Sequence, residues 1–281
     1  MNDALALHFA ARRYCQHELE LLESQYAQVQ RIARRRQGDG HNYDADALLV
    51  VARSAALKAI LLDLERLDPT VLDDLQATRD LLILAGLTAH TRSTRSYERE
   101  GQQAAVGDAR EDFCCYIREL TIFDLAAIEP LPYRRVLAAE ESSALWVRLQ
   151  GQWNIARGHH WYPLDNCTLP DVFAFEADDF DSAGAVGQVR DILLRHGIER
   201  LWELREFQGE DDPEYELSVT LLEPYYNGTE GYWSSGDLDW LLYASHEDSL
   251  TVAGWLLPEL QARWPSWQTH GWLPPHGSGL T

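Results

Sequence analysis

The sequence is poor in lysine and contains no phosphate-binding motif. Of its 24 basic residues, Lys58 is the only lysine and the other 23 are arginine. A P-loop needs a Gly-Lys pair directly before a helix, whereas Lys58 lies inside a helical pattern. No Gly-x-Gly-x-x-Gly follows a strand-like run, and no Gly-x-Ser-x-Gly marks a nucleophile elbow. Nucleotide-dependent and common serine-hydrolase chemistry are therefore not expected, and no cofactor is predicted.

Long apolar runs and cysteine pairs are also missing. No stretch approaches the length needed to cross a bilayer, and the N-terminus has no secretory signal pattern. The four cysteines include no Cys-x-x-Cys pair, which argues against a disulfide framework or a structural zinc site. His159, His160, Asp165 and Cys167 are metal-ligand types, but adjacent histidines on an extended segment point to opposite faces. We expect a cytoplasmic protein without membrane contact or bound metal.

Negative charge is abundant and unevenly distributed. The chain of 281 residues carries 45 acidic residues and a formal net charge of −21. Residues 121–281 hold 26 acidic and 9 basic side chains, a net charge of −17. Such a field repels phosphate backbones and anionic lipid, and it attracts basic surfaces over long distances. Direct nucleic-acid binding is therefore disfavoured, and a basic protein partner is favoured.

Composition changes in the middle of the chain. All ten tryptophans lie between Trp146 and Trp272, and the sequence Glu-Pro-Leu-Pro at 129–132 punctuates the change. We predict a helical bundle domain over residues 1–128 and a Trp-rich acidic domain over residues 129–281. The predicted fold class is α+β with two domains, the first all-α and the second a mostly antiparallel sheet with helices on one face.

Periodicity predicts the individual elements. Apolar residues recur at spacings of three and four over residues 15–29, which indicates a first helix that ends near Gly38. Further helices are predicted over residues 44–64, 71–87 and 110–127, with residues 90–107 as the least ordered connection. Strands are predicted at 135–139, 172–176, 198–207, 215–222, 238–245 and 250–255. Helices are predicted at 140–153, 182–196 and 258–264.

The chemically densest segment is residues 231–255, with Ser-His-Glu-Asp at 245–248 near its centre. One interpretation is a hairpin turn, because Asp and Ser side chains favour tight reversals between strands. The other is a site in which His246 at the sheet rim meets Glu230 or Asp237 in an acid/base pair, with Tyr226 beside it. A hydrolytic triad is excluded, because its members cannot be adjacent in sequence.

Aromatic and acidic side chains are interleaved in the second domain. Tyr or Trp beside carboxylates is typical of a protein surface that binds Arg or Lys. This interpretation assigns binding roles to Tyr225, Tyr232 and Trp233, and to the acids Asp211, Asp212 and Glu214. The alternative is that the rings form a Trp-rich core.

Three segments carry a resemblance to known proteins. They are FCCYIREL at 113–120, PLPYRRVLAAEES at 130–142 and EPYYNGTEGYWSSGDLDWLLYASHEDSLTVAGW at 223–255. Together they resemble a family of uncharacterised bacterial cytoplasmic proteins. The resemblance spans most of the chain and implies a bacterial source and a single two-domain unit, but it transfers no activity and no site residue.

Two functional hypotheses remain. The first is a non-enzymatic acidic interaction module, such as an immunity or inhibitor protein that caps a basic partner. The second is a hydrolase or transferase with a His and carboxylate site at the rim of the sheet: His246, Glu230, Asp237 and Tyr226. The helical domain is in addition a candidate surface for homo-oligomer formation.

Overall fold

The structure is a computed structural model that describes residues 1–37, 45–97, 99–156, 161, 163, 171–207, 209 and 212–272. The chain divides into two compact units, Met1–Leu131 and Pro132–Thr281. The first is helical and the second contains the sheet, which confirms the predicted two-domain α+β fold class. Within the described ranges, none of the helices is both long and apolar enough to span a membrane.

The N-terminal unit consists of packed helices. In chain order they are α1 (Asp3–Gln37), α2 (Ala45–Glu65), α3 (Leu75–Thr88), α4 (Arg92–Arg95), α5 (Glu100–Glu119) and α6 (Ile122–Ala126). A 3-10 turn, Pro69–Val71, precedes α3. α3 begins at Leu75 because the Asp74 side chain accepts a hydrogen bond from the backbone N–H of Ala77.

The core of this unit lies between α1, α2, α3 and α5. The apolar stripe of α1 is buried there through Leu7, Ala11, Cys15 and Leu22. Its partners from the other helices are Leu57, Ile60, Leu64, Leu82, Phe113 and Ile117. The spacing of three and four in the α1 sequence thus becomes one continuous buried face.

The segment 90–107 is predicted as the least ordered connection, but its described residues, 90–97 and 99–107, are largely helical. Thr91 and Thr94 form reciprocal capping hydrogen bonds at the start of α4, and α5 begins at Glu100. The Gln-Gln-Ala-Ala run at 102–105 consists of good helix formers, and this propensity outweighs the polarity of the segment. The predicted helix over 110–127 is two helices, because Thr121 and Asp124 form a second capping box after α5 ends.

The C-terminal unit is built on a seven-stranded antiparallel sheet. Its elements are β1 (Arg134–Val136), α7 (Ala139–Trp153), β2 (Val172–Glu176), α8 (Ala177–Ser182), α9 (Ala185–Arg195), β3 (Arg200–Arg205), β4 (Tyr215–Ser218), β5 (Gly231–Ser234), β6 (Trp240–Ser245), β7 (Ser249–Gly254) and α10 (Leu256–Arg263). The strand order is β1-β4-β3-β5-β6-β7-β2. β5 lies at the centre of the sheet, and all four of its residues are buried. Because buried and exposed positions do not alternate along it, the sequence pattern does not predict this strand.

Helices cover both faces of this sheet. α8, α9 and α10 pack on the face that carries Trp233, Trp240 and Leu242. α7 packs on the opposite face, which carries Tyr232 and Tyr243. The expectation of helices on one face is therefore incomplete, because alternate residues of β5 and β6 are apolar or aromatic on both sides and both faces require cover.

Candidate functional site

One end of the sheet brings together side chains from three chain segments. The register pairs Arg205 at the end of β3 with Gly231, and Gly231 with Ala244 near the end of β6. The ladder continues beyond the strands, because the Glu206 N–H donates to the Glu230 carbonyl at 3.0 Å. We call the side chains at this end the rim cluster; its members are Glu206, Phe207, Tyr226, Glu230, His246 and Glu247.

The Ser-His-Glu-Asp segment forms a hairpin turn and also contributes to the rim cluster. Ser245 pairs with Ser249, and residues 246–248 form the turn between them. Asp248 has a φ of 56°. A three-residue loop that ends in a left-handed residue is a common hairpin connection, and Asp tolerates that conformation. The hairpin-turn interpretation is confirmed, and the same turn places His246 beside Glu230.

Glu230 is a buried carboxylate held by hydroxyl groups and one imidazole. Its Oε2 accepts a hydrogen bond from the Tyr243 hydroxyl. Its Oε1 lies 2.7 Å from Nδ1 of His246 and 3.4 Å from the Ser245 hydroxyl. Among the described residues, neither an arginine nor a lysine lies within ion-pair distance of Glu230. The charge of Glu230 is therefore stabilised by neutral donors, unless His246 carries a proton.

His246 is the exposed half of this pair. Its hydrogen bond with Glu230 raises the pKa of the imidazole, and burial opposes that effect only in part. Because Nδ1 faces a carboxylate, the neutral ring holds its proton on Nδ1 and leaves Nε2 as the basic nitrogen. Nε2 has no partner among the described residues. The arrangement can exchange a proton with solvent or with a bound molecule.

Tyr232 and Tyr243 form the buried wall behind Glu230. They are cross-strand partners with ring centroids 4.8 Å apart. Burial raises the pKa of both phenols, so both remain protonated hydrogen-bond donors at neutral pH. Tyr232 is fully buried, and the partner-binding role predicted for it is wrong.

Trp233 is a core residue as well. It is fully buried on the face that α8, α9 and α10 cover. The Arg205 guanidinium lies 5.1 Å from its ring centroid. The prediction that Trp233 anchors a partner is wrong, because it sits on a central strand whose two faces are both covered. Tyr225 and Tyr226, which precede β5, are exposed.

The predicted acidic loop residues have different environments. Glu214 is buried: its Oε1 lies 2.7 Å from Nε1 of Trp146 and 3.1 Å from the Arg205 backbone nitrogen, and its Oε2 accepts from the Ser142 hydroxyl. The partner-binding role predicted for Glu214 is therefore wrong, because its carboxylate is occupied inside the unit. Asp212 is exposed, and Asp211 lies outside the described residues.

Asp237 is at the other end of the sheet from the rim cluster. It is exposed in the turn between β5 and β6, whereas Glu230 and His246 lie at the opposite end of that hairpin. The predicted pairing of His246 with Asp237 is wrong for this geometric reason. A cleft of about 480 Å³ near this other end is lined by His196, Asp239, Trp255, Pro258, Glu259 and Ala262. It contains no member of the rim cluster.

Glu206 and Phe207 are rim residues to which no site role is predicted from the sequence. Phe207 is exposed, and its N–H donates to the Thr229 hydroxyl at 3.2 Å, while Glu206 is buried. The available signal is their position at the end of the strand predicted over residues 198–207; the strand itself ends at Arg205, so both side chains lie just beyond it.

A metal site is not apparent in the ranges that the structure describes. They contain no group of three or more His, Cys, Asp or Glu side chains that could hold a metal ion. His159, His160, Asp165 and Cys167 lie outside the described residues.

Comparison with known proteins adds no relative. No protein-family model, no curated protein and no solved structure matches the chain. Functional inference for this chain therefore depends on its own residues.

Proposed function

We propose that the C-terminal unit is an acidic protein-interaction module that binds a basic segment of a partner at the rim cluster. An immunity or inhibitor protein that caps a basic partner is the corresponding biological class. The supporting observation is that exposed aromatic rings, the exposed carboxylate of Glu247 and the buried carboxylates of Glu206 and Glu230 meet at one end of the sheet. This end belongs to a part of the chain with a net charge of −17 over residues 121–281.

The rim cluster has the chemistry that recognises an arginine or lysine side chain. Tyr226 and His246 have ring centroids 6.3 Å apart, and the exposed Tyr225 is next to Tyr226 in the chain. The exposed Phe207 follows Glu206, whose N–H donates a hydrogen bond to the Glu230 carbonyl. Aromatic faces attract cations, and the exposed carboxylate of Glu247 supplies the opposite charge, with the buried carboxylate of Glu230 behind it. Because His246 is the only basic side chain within ion-pair distance of Glu230 among the described residues, a basic side chain of the partner would add a charge that the unit itself does not supply.

This mode of binding predicts a specific pH dependence. When His246 is protonated, its positive charge neutralises Glu230 and repels an incoming cation at the rim cluster. Glu230 raises the pKa of His246 above its usual value. Affinity for a basic segment should therefore rise as pH increases through the His246 pKa, and the rise should disappear in His246→Asn.

Fluorescence anisotropy with two peptides of equal length, one arginine-rich and one glutamate-rich, tests the proposal. The arginine-rich peptide should bind, and Tyr226→Ala with Phe207→Ala should weaken its affinity by about tenfold. Asp237→Asn at the opposite end of the hairpin and Phe123→Ala in the N-terminal unit are matched controls, because both side chains are exposed and lie outside the rim cluster.

Varying the ionic strength in the same assay separates long-range electrostatic attraction, which sets the association rate, from short-range contacts, which set the dissociation rate. Raising salt from about 0.05 to 0.5 M should slow association much more than it changes dissociation, because the Debye length shortens to about 4 Å. If the control variants weaken binding as much as the rim variants do, the peptide is attracted by overall charge and the rim cluster is not its site.

The 2.7 Å contact between His246 and Glu230 favours a second candidate function, a hydrolase or transferase that uses His246 as general base. Glu230 would orient the imidazole while Nε2 accepts a proton from water or substrate. Ser245 is not placed as a nucleophile, because its hydroxyl contacts Glu230 and accepts from the Glu247 N–H. The nucleophile would therefore be water or a substrate hydroxyl.

Turnover of p-nitrophenyl acetate and p-nitrophenyl phosphate tests this second candidate. Catalysis should follow the deprotonated form of His246, and both His246→Asn and Glu230→Gln should lower it by at least about a hundredfold. Equal rates in the parent protein and in His246→Asn would exclude His246 as the base for these ester classes.

A further inference from the structure

Helix α3 presents leucines on its outer side as well as on its inner side. Thr78, Leu82 and Ala85 are buried within the N-terminal unit. On the opposite side Leu81, Leu84 and Leu87 are 44%, 54% and 49% exposed. Three neighbouring half-exposed leucines on one helix are unusual for a surface that meets only water. We call Leu81, Leu84 and Leu87 the α3 stripe.

The α3 stripe is symmetric about Leu84. Leu81 lies three residues before it and Leu87 three residues after it, so the two flanking leucines sit on either side of the line through Leu84. Turning the helix end over end about Leu84 exchanges Leu81 with Leu87. A two-fold interface requires such self-complementarity, because each residue of one copy must meet the symmetry-related residue of the other.

Exposed charges of opposite sign flank the two ends of α3. Asp73 and Asp80 are exposed around the N-terminal half of α3, and Arg92 and Arg95 are exposed just beyond its C-terminal end. Two parallel copies would place acids against acids and bases against bases. Two antiparallel copies would place the acidic end of each against the basic end of the other. Their helix dipoles would also be antiparallel, which is the favourable arrangement for neighbouring dipoles.

We propose that the N-terminal unit forms a two-fold homodimer in which the α3 stripes of two copies pack antiparallel. This inference is independent of the proposed partner binding by the C-terminal unit. A contact centred on three half-exposed leucines is at the small end of specific interfaces, so the dimer dissociates in the micromolar range. The antiparallel direction follows from the charges, and the centre of the contact is Leu84.

Sedimentation velocity of the full chain from about 1 to 200 µM tests the proposal, because a weak dimer shifts with concentration by mass action. The parent protein should move from monomer to dimer over that range. Leu84→Glu should weaken self-association by at least about tenfold, since it places two like charges at the symmetry centre. Phe123→Glu, on α6 and 82% exposed, should leave the dissociation constant unchanged.

A charge exchange tests the direction of packing without altering the leucines. Asp73→Arg alone and Arg92→Asp alone should each weaken the dimer, and the double variant should restore it, because opposite charges again face each other across the two-fold axis. Circular dichroism verifies that each variant keeps its helices. A parent chain that stays monomeric at 200 µM overturns the proposal, as does a dimer that Leu84→Glu leaves intact.

Discussion

His8 makes the stability of the N-terminal unit depend on pH in a direction that the structure fixes. His8 is fully buried on α1, and its Nε2 lies 3.0 Å from the Leu64 carbonyl oxygen. Burial, with a smaller contribution from the nearby Arg12 charge, lowers the pKa of His8 from 6.5 to about 4. The folded unit therefore holds a neutral imidazole over a range in which the unfolded chain binds a proton.

The expected loss of stability follows from these two pKa values. Between pH 6.5 and pH 4 the unfolded state binds more protons, so the free energy of unfolding falls as pH falls. Using 6.5 for the unfolded chain and about 4 for the folded unit, the His8 contribution lost between pH 7 and pH 5 is about 2 kcal/mol. Below pH 4 the loss approaches about 3 kcal/mol and then stops increasing.

His8→Gln removes this titration and keeps an amide that can donate to the Leu64 carbonyl. Urea unfolding should be followed by circular dichroism at 222 nm, to which the helical unit contributes strongly, at pH 7, 6 and 5. Tryptophan fluorescence serves as an internal reference, because all ten tryptophans lie between Trp146 and Trp272 in the other unit. Two signals are needed, since a two-unit chain is not assured of one cooperative transition.

The measurement compares how the free energy of unfolding changes with pH in each protein, and not its absolute value. The parent protein should lose about 2 kcal/mol more than His8→Gln between pH 7 and pH 5. His17→Gln, at an exposed position on the same helix, should follow the parent. If the free energy of unfolding of the parent and of His8→Gln changed equally with pH, His8 would not be buried as a neutral group in solution. That result would contradict the lowered pKa of His8.

Three further substitutions test the C-terminal unit, each by urea unfolding followed through tryptophan fluorescence. Trp233→Ala should destabilise this unit by about 3–5 kcal/mol, because the fully buried ring fills the core beneath α8 to α10; a cost below about 1 kcal/mol would contradict its assignment to the core. Glu214→Ala should cost about 3 kcal/mol or more, since it leaves donors from Trp146, Ser142 and Arg205 without their acceptor, while the exposed Asp212→Ala should stay within about 0.5 kcal/mol. Gly254→Ala should destabilise this unit by at least about 1–3 kcal/mol, because Gly254 has a φ of 75° and a Cβ there would lie 2.1 Å from the Asp239 carbonyl oxygen. Gly236→Ala is the matched control and should have little effect, because the space around Gly236 is open.

The parts of the fold with a clear local signal are predictable from the sequence. β2 has the predicted bounds, Val172–Glu176, and α7 begins one residue before its predicted start. α5 begins ten residues before its predicted start, because apolar periodicity is weak in its polar N-terminal half although the run at 102–105 has high helix propensity. β5 shows the opposite failure: a strand buried on both faces loses the alternation that identifies strands in a sequence.

Burial of individual aromatic residues depends on neighbours that are remote in sequence. Trp233 is fully buried because β3 and β6 flank β5 and helices cover both faces of the sheet. The same local sequence of Tyr, Trp and acidic residues can belong to an exposed surface segment or to a buried central strand. The distinction comes from tertiary pairing, which the local sequence does not encode in readable form.

The register of the β5–β6 hairpin determines which acidic residue lies beside His246. Two candidate acids, Glu230 and Asp237, precede β6 within the same segment, and only one can meet a residue that follows β6. In an antiparallel hairpin the residue before the first strand lies beside the residue after the second, whereas the connecting turn lies at the far end. With Gly231 paired to Ala244, Glu230 is the acid beside His246, and Asp237 belongs to the turn. Once β5 is known to be a strand, its register alone selects the acid, and so the missed strand and the wrong Asp237 assignment have one cause.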